Sequence, residues 1–236
     1  MGQIPSTNSP YGAECRELFT ATKGSVLVGA DASGLELRCL AHYLAAYDKG
    51  AYAKIVTEGD VHTSNQEAAG LPTRSDAKTF IYAWLYGAGD AKIGSIVNGS
   101  ADEGSRLKDN FMRKNPAVRY LTDAVRRKVK QYGQLRGLDG RKLPCRSPHS
   151  ALNLLLQSAG AVIMKQALCE FVNTATKPYT MHANVHDEVQ FSCNADDADE
   201  LGQQFVDAIK QAGEVLDFDC PLDGEYSIGL NWKETH

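Results

Sequence analysis

The sequence predicts an α+β fold in which a sheet-based platform is interrupted by a helical insertion. Three observations carry this. Ser25-Val-Leu-Val-Gly-Ala30 is an apolar run of strand length, helical patterns dominate the middle of the chain, and Met181–Cys193 alternates polar with apolar residues before a last helix and strand.

Taken in order, the first strand delivers Asp31 at its end. Ser33 stands three residues before Glu36, the spacing of a capping box, and Leu37, Leu40, Ala41 and Leu44 recur at helical intervals. Pro72-Thr73 opens the next clear helix, with Thr73 and Asp76 spaced as a cap. Phe80, Ile81, Trp84 and Leu85 form its apolar face, and Gly87 and Gly89 end it. A further helix covers Tyr120–Tyr132, and Gly137-Leu-Asp-Gly140 is a turn. Residues 151–171 read as a long apolar helix. In Met181–Cys193, Asn184, His186, Glu188 and Gln190 alternate with Val185, Val189 and Phe191, unless a tight turn falls at His186-Asp187. A helix over about 197–212 and a short strand complete the chain.

The 236 residues are 43% hydrophobic and 23% charged, which excludes disordered, collagenous and coiled-coil chains. No apolar run approaches the roughly 18–20 residues of a membrane span, and Met1-Gly2-Gln3-Ile4-Pro5-Ser6 has no basic or apolar leader region. Those six residues fit a loose myristoylation pattern but lack a polybasic second signal. A cytoplasmic protein without a membrane partner is the expectation. Cys15, Cys39, Cys145, Cys169, Cys193 and Cys220 form no C-x-x-C pair, so free thiols are expected instead of a zinc site or disulfides.

The net charge of −4 conceals a strong asymmetry. Residues 106–146 carry 13 Lys and Arg against 3 acids, whereas residues 186–236 carry 13 acids against Lys210 and Lys233. Either the basic stretch meets a polyanion and the acids meet cations, or both are solvated faces.

Asp31 ends an apolar strand, and strict alternation would put Asp187 on the face of Val185 and Val189. A desolvated carboxylate needs a cation or a proton. Brought together, the two would hold divalent metal suited to in-line phosphoryl displacement; taken singly, each is as well explained as a turn or helix cap. Arg74, Lys78, Tyr82 and Tyr86 follow an i, i+4, i+8, i+12 stripe opposite the apolar face of their helix. Two cations followed by two rings match a nucleoside triphosphate, and a solvated face is the alternative.

Asp31-Ala-Ser-Gly-Leu-Glu-Leu-Arg38 resembles motif A of family A DNA polymerases. Arg74-x3-Lys78-x3-Tyr82-x3-Tyr86-Gly87 resembles motif B, and His186-Asp187-Glu188 resembles motif C. The order is right, and Leu71–Phe80, Gly137–Lys142 and Gln157-Ser-Ala-Gly160 are similar to the intervening text, most of all to the polymerases of T7-type phages. The resemblance implies a polymerase palm, an antiparallel sheet with helices, from residues 1–48 and 151–236. Mainly helical fingers would span 49–150. Asp31, Asp187 and the backbone carbonyl of Ala32 would bind two Mg2+ ions. Glu188 would be an accessory acid, and His186 would position the primer terminus. Arg74 and Lys78 would clasp the triphosphate with His62 beside them, and Tyr82 would stack on the incoming base. Glu36 would close against the 2′ position of the sugar. Tyr86 would stand near the templating base, and Asn153 and Gln157 would touch the primer–template minor groove.

The implied activity is template-directed addition of deoxynucleotides to a primer 3′-OH, in phage DNA replication. Primer–template DNA, dNTPs and a processivity factor are the implied partners. Only thirty residues precede Asp31, and Gln3-Ile-Pro-Ser6 and Tyr11-Gly-Ala-Glu-Cys-Arg16 resemble the palm just upstream of motif A. The thumb and exonuclease domain are therefore expected on a missing N-terminal region or a second polypeptide. A split enzyme, a longer reading frame and a non-catalytic remnant that binds DNA or nucleotide all fit this pattern. A two-metal nuclease would need the acids but not the stripe.

Overall fold

The computed structural model describes residues 4–236, so Met1, Gly2 and Gln3 of the N-terminal pattern lie outside the described residues. The elements in chain order begin with α1 (Gly12–Glu17), β1 (Val26–Ala32), α2 (Leu35–Asp48), α3 (Ala51–Glu58), α4 (Val61–Ala69) and α5 (Arg74–Leu85). They continue with α6 (Asp90–Gly94), α7 (Ala101–Lys114), α8 (Pro116–Tyr132), β2 (Gln134–Arg136) and β3 (Lys142–Pro144). The last are α9 (Ala151–Thr174), β4 (Thr180–Val185), β5 (Glu188–Cys193), α10 (Ala198–Val215) and β6 (Gly224–Gly229). The fold is α+β, as the patterning predicts. The chain divides into two compact units, Met1–Leu35 with Gly160–His236, and Glu36–Ala159.

The first unit is built on a four-stranded antiparallel sheet in the order β4-β5-β1-β6. Val28 and Ala30 of β1 lie opposite Phe191 and Val189 of β5, and all four are buried. Phe171 gathers this face into an aromatic cluster, with ring centroids 4.8 Å from Tyr179, 5.3 Å from Phe191 and 5.1 Å from Phe205 of α10.

Met181–Cys193 proves to be a hairpin. The turn falls at His186-Asp187, so strict alternation, which would place Asp187 with Val185 and Val189, does not apply. His186 has a φ of 59° there. Glu188, Gln190 and Ser192 of β5 lie opposite Asp31, Gly29 and Leu27 of β1, so by strand geometry they share a face. Every residue of β5, the polar ones included, is buried. Trp232 and Thr235 cover this polar face. Thr235 Oγ1 donates to Gln190 Oε1 at 2.8 Å, and the Arg16 guanidinium lies 4.4 Å from the centre of the Trp232 ring.

Gly29 makes that cover possible. A Cβ built there would lie 2.2 Å from the Thr235 carbonyl oxygen and 2.3 Å from Gln190 Nε2. Gly29→Ala is therefore expected to lower stability by about 2–3 kcal/mol, as overpacking of a closed interior does. Thermal unfolding is the check. A chain of this size should lose roughly 5–10 °C in midpoint, and an unchanged midpoint would mean that Thr235 does not close over β1.

The second unit is mainly helical. Thr73 caps α5 as its spacing predicts, accepting from the Asp76 amide at 3.0 Å and donating to Asp76 Oδ2 at 2.7 Å. Phe80, Ile81 and Leu85 are buried and Trp84 is half-buried. Phe80 and Trp84 meet Phe111 of α7 edge-on, with centroids 5.5 and 5.3 Å away. α8 buries Val118, Leu121, Val125 and Val129 and exposes Arg126, Arg127, Lys128 and Lys130, so much of the basic stretch is one open helical face. The predicted turn at Gly137–Gly140 joins β2 to β3.

Four of the six cysteines are buried and Cys169 is exposed. One correction concerns membrane-length segments. Among the described residues, the helix over 148–174 is long and apolar enough to cross a bilayer by length and composition. Its Leu155, Leu156, Ile163, Met164, Ala167 and Phe171 are nevertheless buried within the protein.

Candidate active site

In the first unit, β1 carries Asp31 to the end of the sheet where the β4–β5 turn presents Asp187. The Ala32 amide donates to the Asp187 carbonyl at 3.0 Å, which pins the strand end to the turn. Two aspartates from distant parts of the sequence are thereby held side by side, both half-buried. His186 is exposed at the same turn. Among the described residues no group of three or more His, Cys, Asp or Glu is placed to hold a metal ion. The two aspartates offer hard oxygen donors of the kind Mg2+ takes when water and substrate phosphates complete its shell, and Glu225 of β6, opposite Asp31, is a further carboxylate at this end.

Glu188 lies directly across from Asp31, but its carboxylate is engaged elsewhere. Oε1 accepts from Trp232 Nε1 and, at 2.6 Å, from Gln190 Nε2; Oε2 lies 2.8 Å from His236 Nδ1. The carboxylate expected to be an accessory acid is thus buried in a network with Trp232 and His236. Nothing in local sequence spacing signals these partners.

In the second unit, α5 presents Arg74 and Lys78 to solvent, with Tyr82 half-buried one turn further and Tyr86 exposed at the C-cap. The Arg74 Nε–H donates to Asp60 Oδ2 at 2.7 Å. Asp60 caps α4, its Oδ1 accepting from the His62 and Thr63 amides at 3.1 and 3.2 Å and its Oδ2 from Thr63 Oγ1 at 2.9 Å. Arg74 foremost, then Thr63, holds the Asp60 carboxyl far below the usual carboxylate range. Lys78 makes no ion pair among the described residues.

His62 stands beside the stripe, its ring centroid 6.3 Å from that of Tyr82. Burial, then Arg74 and Lys78, push its pKa down, so the ring is neutral at pH 7 and offers a hydrogen bond instead of a charge. Its Nδ1 is buried without a hydrogen-bond partner.

Tyr86 donates to Glu36 Oε1 at 2.9 Å, joining the end of α5 to the first turn of α2. Two residues expected to act separately, on templating base and sugar, are a hydrogen-bonded pair. His149 Nε2 donates to the Gly87 carbonyl at 2.9 Å, a link that its position one turn before Asn153 does not reveal. Asn153 lines a cavity of about 80 Å3 with Gly87, His149 and Arg126, and Gln157 is half-buried on the next turn of α9. The structure thus gathers Arg74, Lys78, Tyr82 and His62 in one unit and Asp31, Ala32, His186 and Asp187 in the other. Asp60 and His149 are the neighbours that sequence reading missed.

The structure thus sets two aspartates at one end of an antiparallel sheet and a cation–cation–aromatic stripe on a separate helix. The chain belongs to DNA polymerase family A, whose family model it matches over residues 1–234. It is 42% identical to the DNA-directed DNA polymerase of Enterobacteria phage T3 and 41% identical to that of Escherichia phage T7. Each match covers 100% of this chain and 38% of the relative. Identity to the polymerase of Escherichia phage Phieco32 is 45%, over 100% of this chain and 44% of that one. The chain therefore spans less than half the length of these relatives. Its fold also matches the POL domain of Pol1 from M. smegmatis, solved with DNA primer-template and dNTP. The TM-score there is 0.85 at 22% identity, over 100% of this chain and 45% of that one.

Proposed function

We propose that this chain is the palm and fingers portion of a phage DNA polymerase and carries its nucleotidyl-transfer centre. In this reading residues 1–48 and 151–236 form the palm and 49–150 the fingers. The observation that carries it is the Ala32–Asp187 backbone bond, which sets two carboxylates at one end of the sheet. The support beside it is the Arg74, Lys78, Tyr82 stripe of a family A chain.

Asp31 and Asp187, with the Ala32 carbonyl, would hold two Mg2+ ions. When bound, these supply Lewis acidity at the α-phosphate and favour ionisation of the primer 3′-OH. The primer oxygen attacks the α-phosphate in line, and pyrophosphate leaves. Arg74 and Lys78 clasp the triphosphate, neutral His62 donates a hydrogen bond to it, and Tyr82 stacks on the base. Glu36, steadied by the Tyr86 hydroxyl, closes the space at the sugar's 2′ position, and Tyr86 borders the templating base. His186 positions the primer terminus, and Asn153 and Gln157 face the minor groove. Glu188 serves the centre indirectly, by bracing the turn that holds Asp187. The exposed cations of α8 track template phosphates without reading sequence.

The thumb and exonuclease reside on a further polypeptide region, where a processivity factor would also dock. Affinity for DNA depends on the number of phosphates neutralised, so palm and fingers alone hold a primer weakly. The isolated 236 residues are expected to extend a primer poorly, and only at low salt. Efficient, processive extension by them at near-physiological salt would contradict this division of labour. DNA and deoxynucleotide binding without extension, even when a thumb-bearing portion is supplied, would favour a non-catalytic remnant.

A further inference from the structure

We propose that Asp60 is a positioning residue for the triphosphate: it fixes the Arg74 guanidinium so that its terminal N–H groups meet the phosphates. The proposal rests on the nucleotide reading of α5 and adds to it a residue on another helix.

Arg74 is the first residue of α5, exposed, on a long flexible side chain. Left alone it would sample many rotamers, and binding an anion would freeze them at a cost in affinity. Asp60 removes much of that freedom. Its carboxylate is itself immobile, because both oxygens accept hydrogen bonds from the first turn of α4, two from amides and one from the Thr63 hydroxyl. The guanidinium is gripped at Nε. That leaves the end-on fork of two terminal nitrogens, which make no hydrogen bond among the described residues. Such a fork suits bidentate contact with phosphate oxygens.

The carboxylate also repels a triphosphate. Asp60 and Arg74 are solvent-exposed, so this repulsion is screened by water and salt, whereas the restriction of Arg74 is not. Orientation therefore outweighs repulsion, and removing Asp60 should weaken binding.

Asp60→Ser isolates the contact. Serine is a good helix cap and preserves the start of α4, but it is too short to reach Arg74. Asp60→Asn keeps the cap through its one carbonyl oxygen but turns an amide NH2 toward the Arg74 Nε–H, donor against donor, so it removes the same contact without shortening the side chain. The probes are inorganic triphosphate and a deoxynucleoside triphosphate, titrated calorimetrically into the full chain without DNA. D60S and D60N should each weaken both by about tenfold with little change in thermal midpoint. In an Arg74→Ala background D60S should have no further effect, because the partner it orients is gone. Unchanged or tighter binding by D60S, with wild-type binding intact, would overturn the positioning role and leave the nucleotide reading standing. If wild type binds neither probe, the nucleotide reading fails and this inference with it.

Discussion

Asp31→Asn and Asp187→Asn are each expected to cut primer extension by about a thousandfold or more once the chain is complemented by a thumb-bearing portion, a barrier increase of about 4 kcal/mol. Asparagine matches the shape of aspartate and keeps one carbonyl acceptor, so the strand end and turn should fold as before. What disappears is an anionic oxygen from the set proposed to hold the divalent ions. Such ions bind hard, charged oxygens far better than neutral amides. The link between the two positions is backbone, Ala32 N–H to Asp187 C=O, so neither substitution should disturb their proximity. Primer–template affinity should change little, because phosphates are held by Lys and Arg. Single-turnover extension with excess enzyme is the measurement. A variant keeping more than about a tenth of the wild-type rate would remove that aspartate from the metal set.

Tyr82→Phe is expected to change which sugars are accepted. In the proposed site the Tyr82 hydroxyl lies near the 3′ carbon of the incoming sugar. A dideoxynucleotide lacks its 3′-hydroxyl and would leave neighbouring polar groups unsatisfied, a penalty of about 1–3 kcal/mol. Tyr82 supplies a hydroxyl to that space from the protein side, so wild type should accept dideoxynucleotides readily. Removing the hydroxyl restores the penalty, and discrimination against dideoxynucleotides should rise by about ten- to several-hundredfold. The ratio of kcat/KM for deoxy- and dideoxynucleotide in the two proteins reads this directly. Equal ratios would show that Tyr82 does not face the sugar.

Much of this site is legible in the sequence because its signals are local. The Thr73–Asp76 cap, the stripe on α5 and the strand ending in Asp31 each follow from spacing within one element, and each is present in the structure. The contacts that sequence reading misses are between elements. The short helices α3 and α4 carry weak patterns, and α4 owes its start to the Asp60 cap. The Asp60–Arg74 pair spans 14 residues and the His149–Gly87 bond 62. The polar face of β5 illustrates the same point. Alternation of Glu188 and Gln190 with apolar neighbours puts them on one face, but periodicity reports side-chain direction and says nothing of a later segment that covers that face. Trp232, Thr235 and His236 provide that cover, and Gly29 makes room for it.

The central claim is that the paired aspartates and the α5 stripe perform templated nucleotide addition. Its most direct measurement is incorporation of a single labelled nucleotide onto a defined primer–template, in Mg2+, by this chain supplemented with the N-terminal portion of a T7-type polymerase. The account predicts addition of the nucleotide complementary to the template base, with mismatched nucleotides slower by orders of magnitude and no addition by the Asp31→Asn chain. No incorporation despite stable assembly, or equal incorporation by wild type and Asp31→Asn, would contradict it.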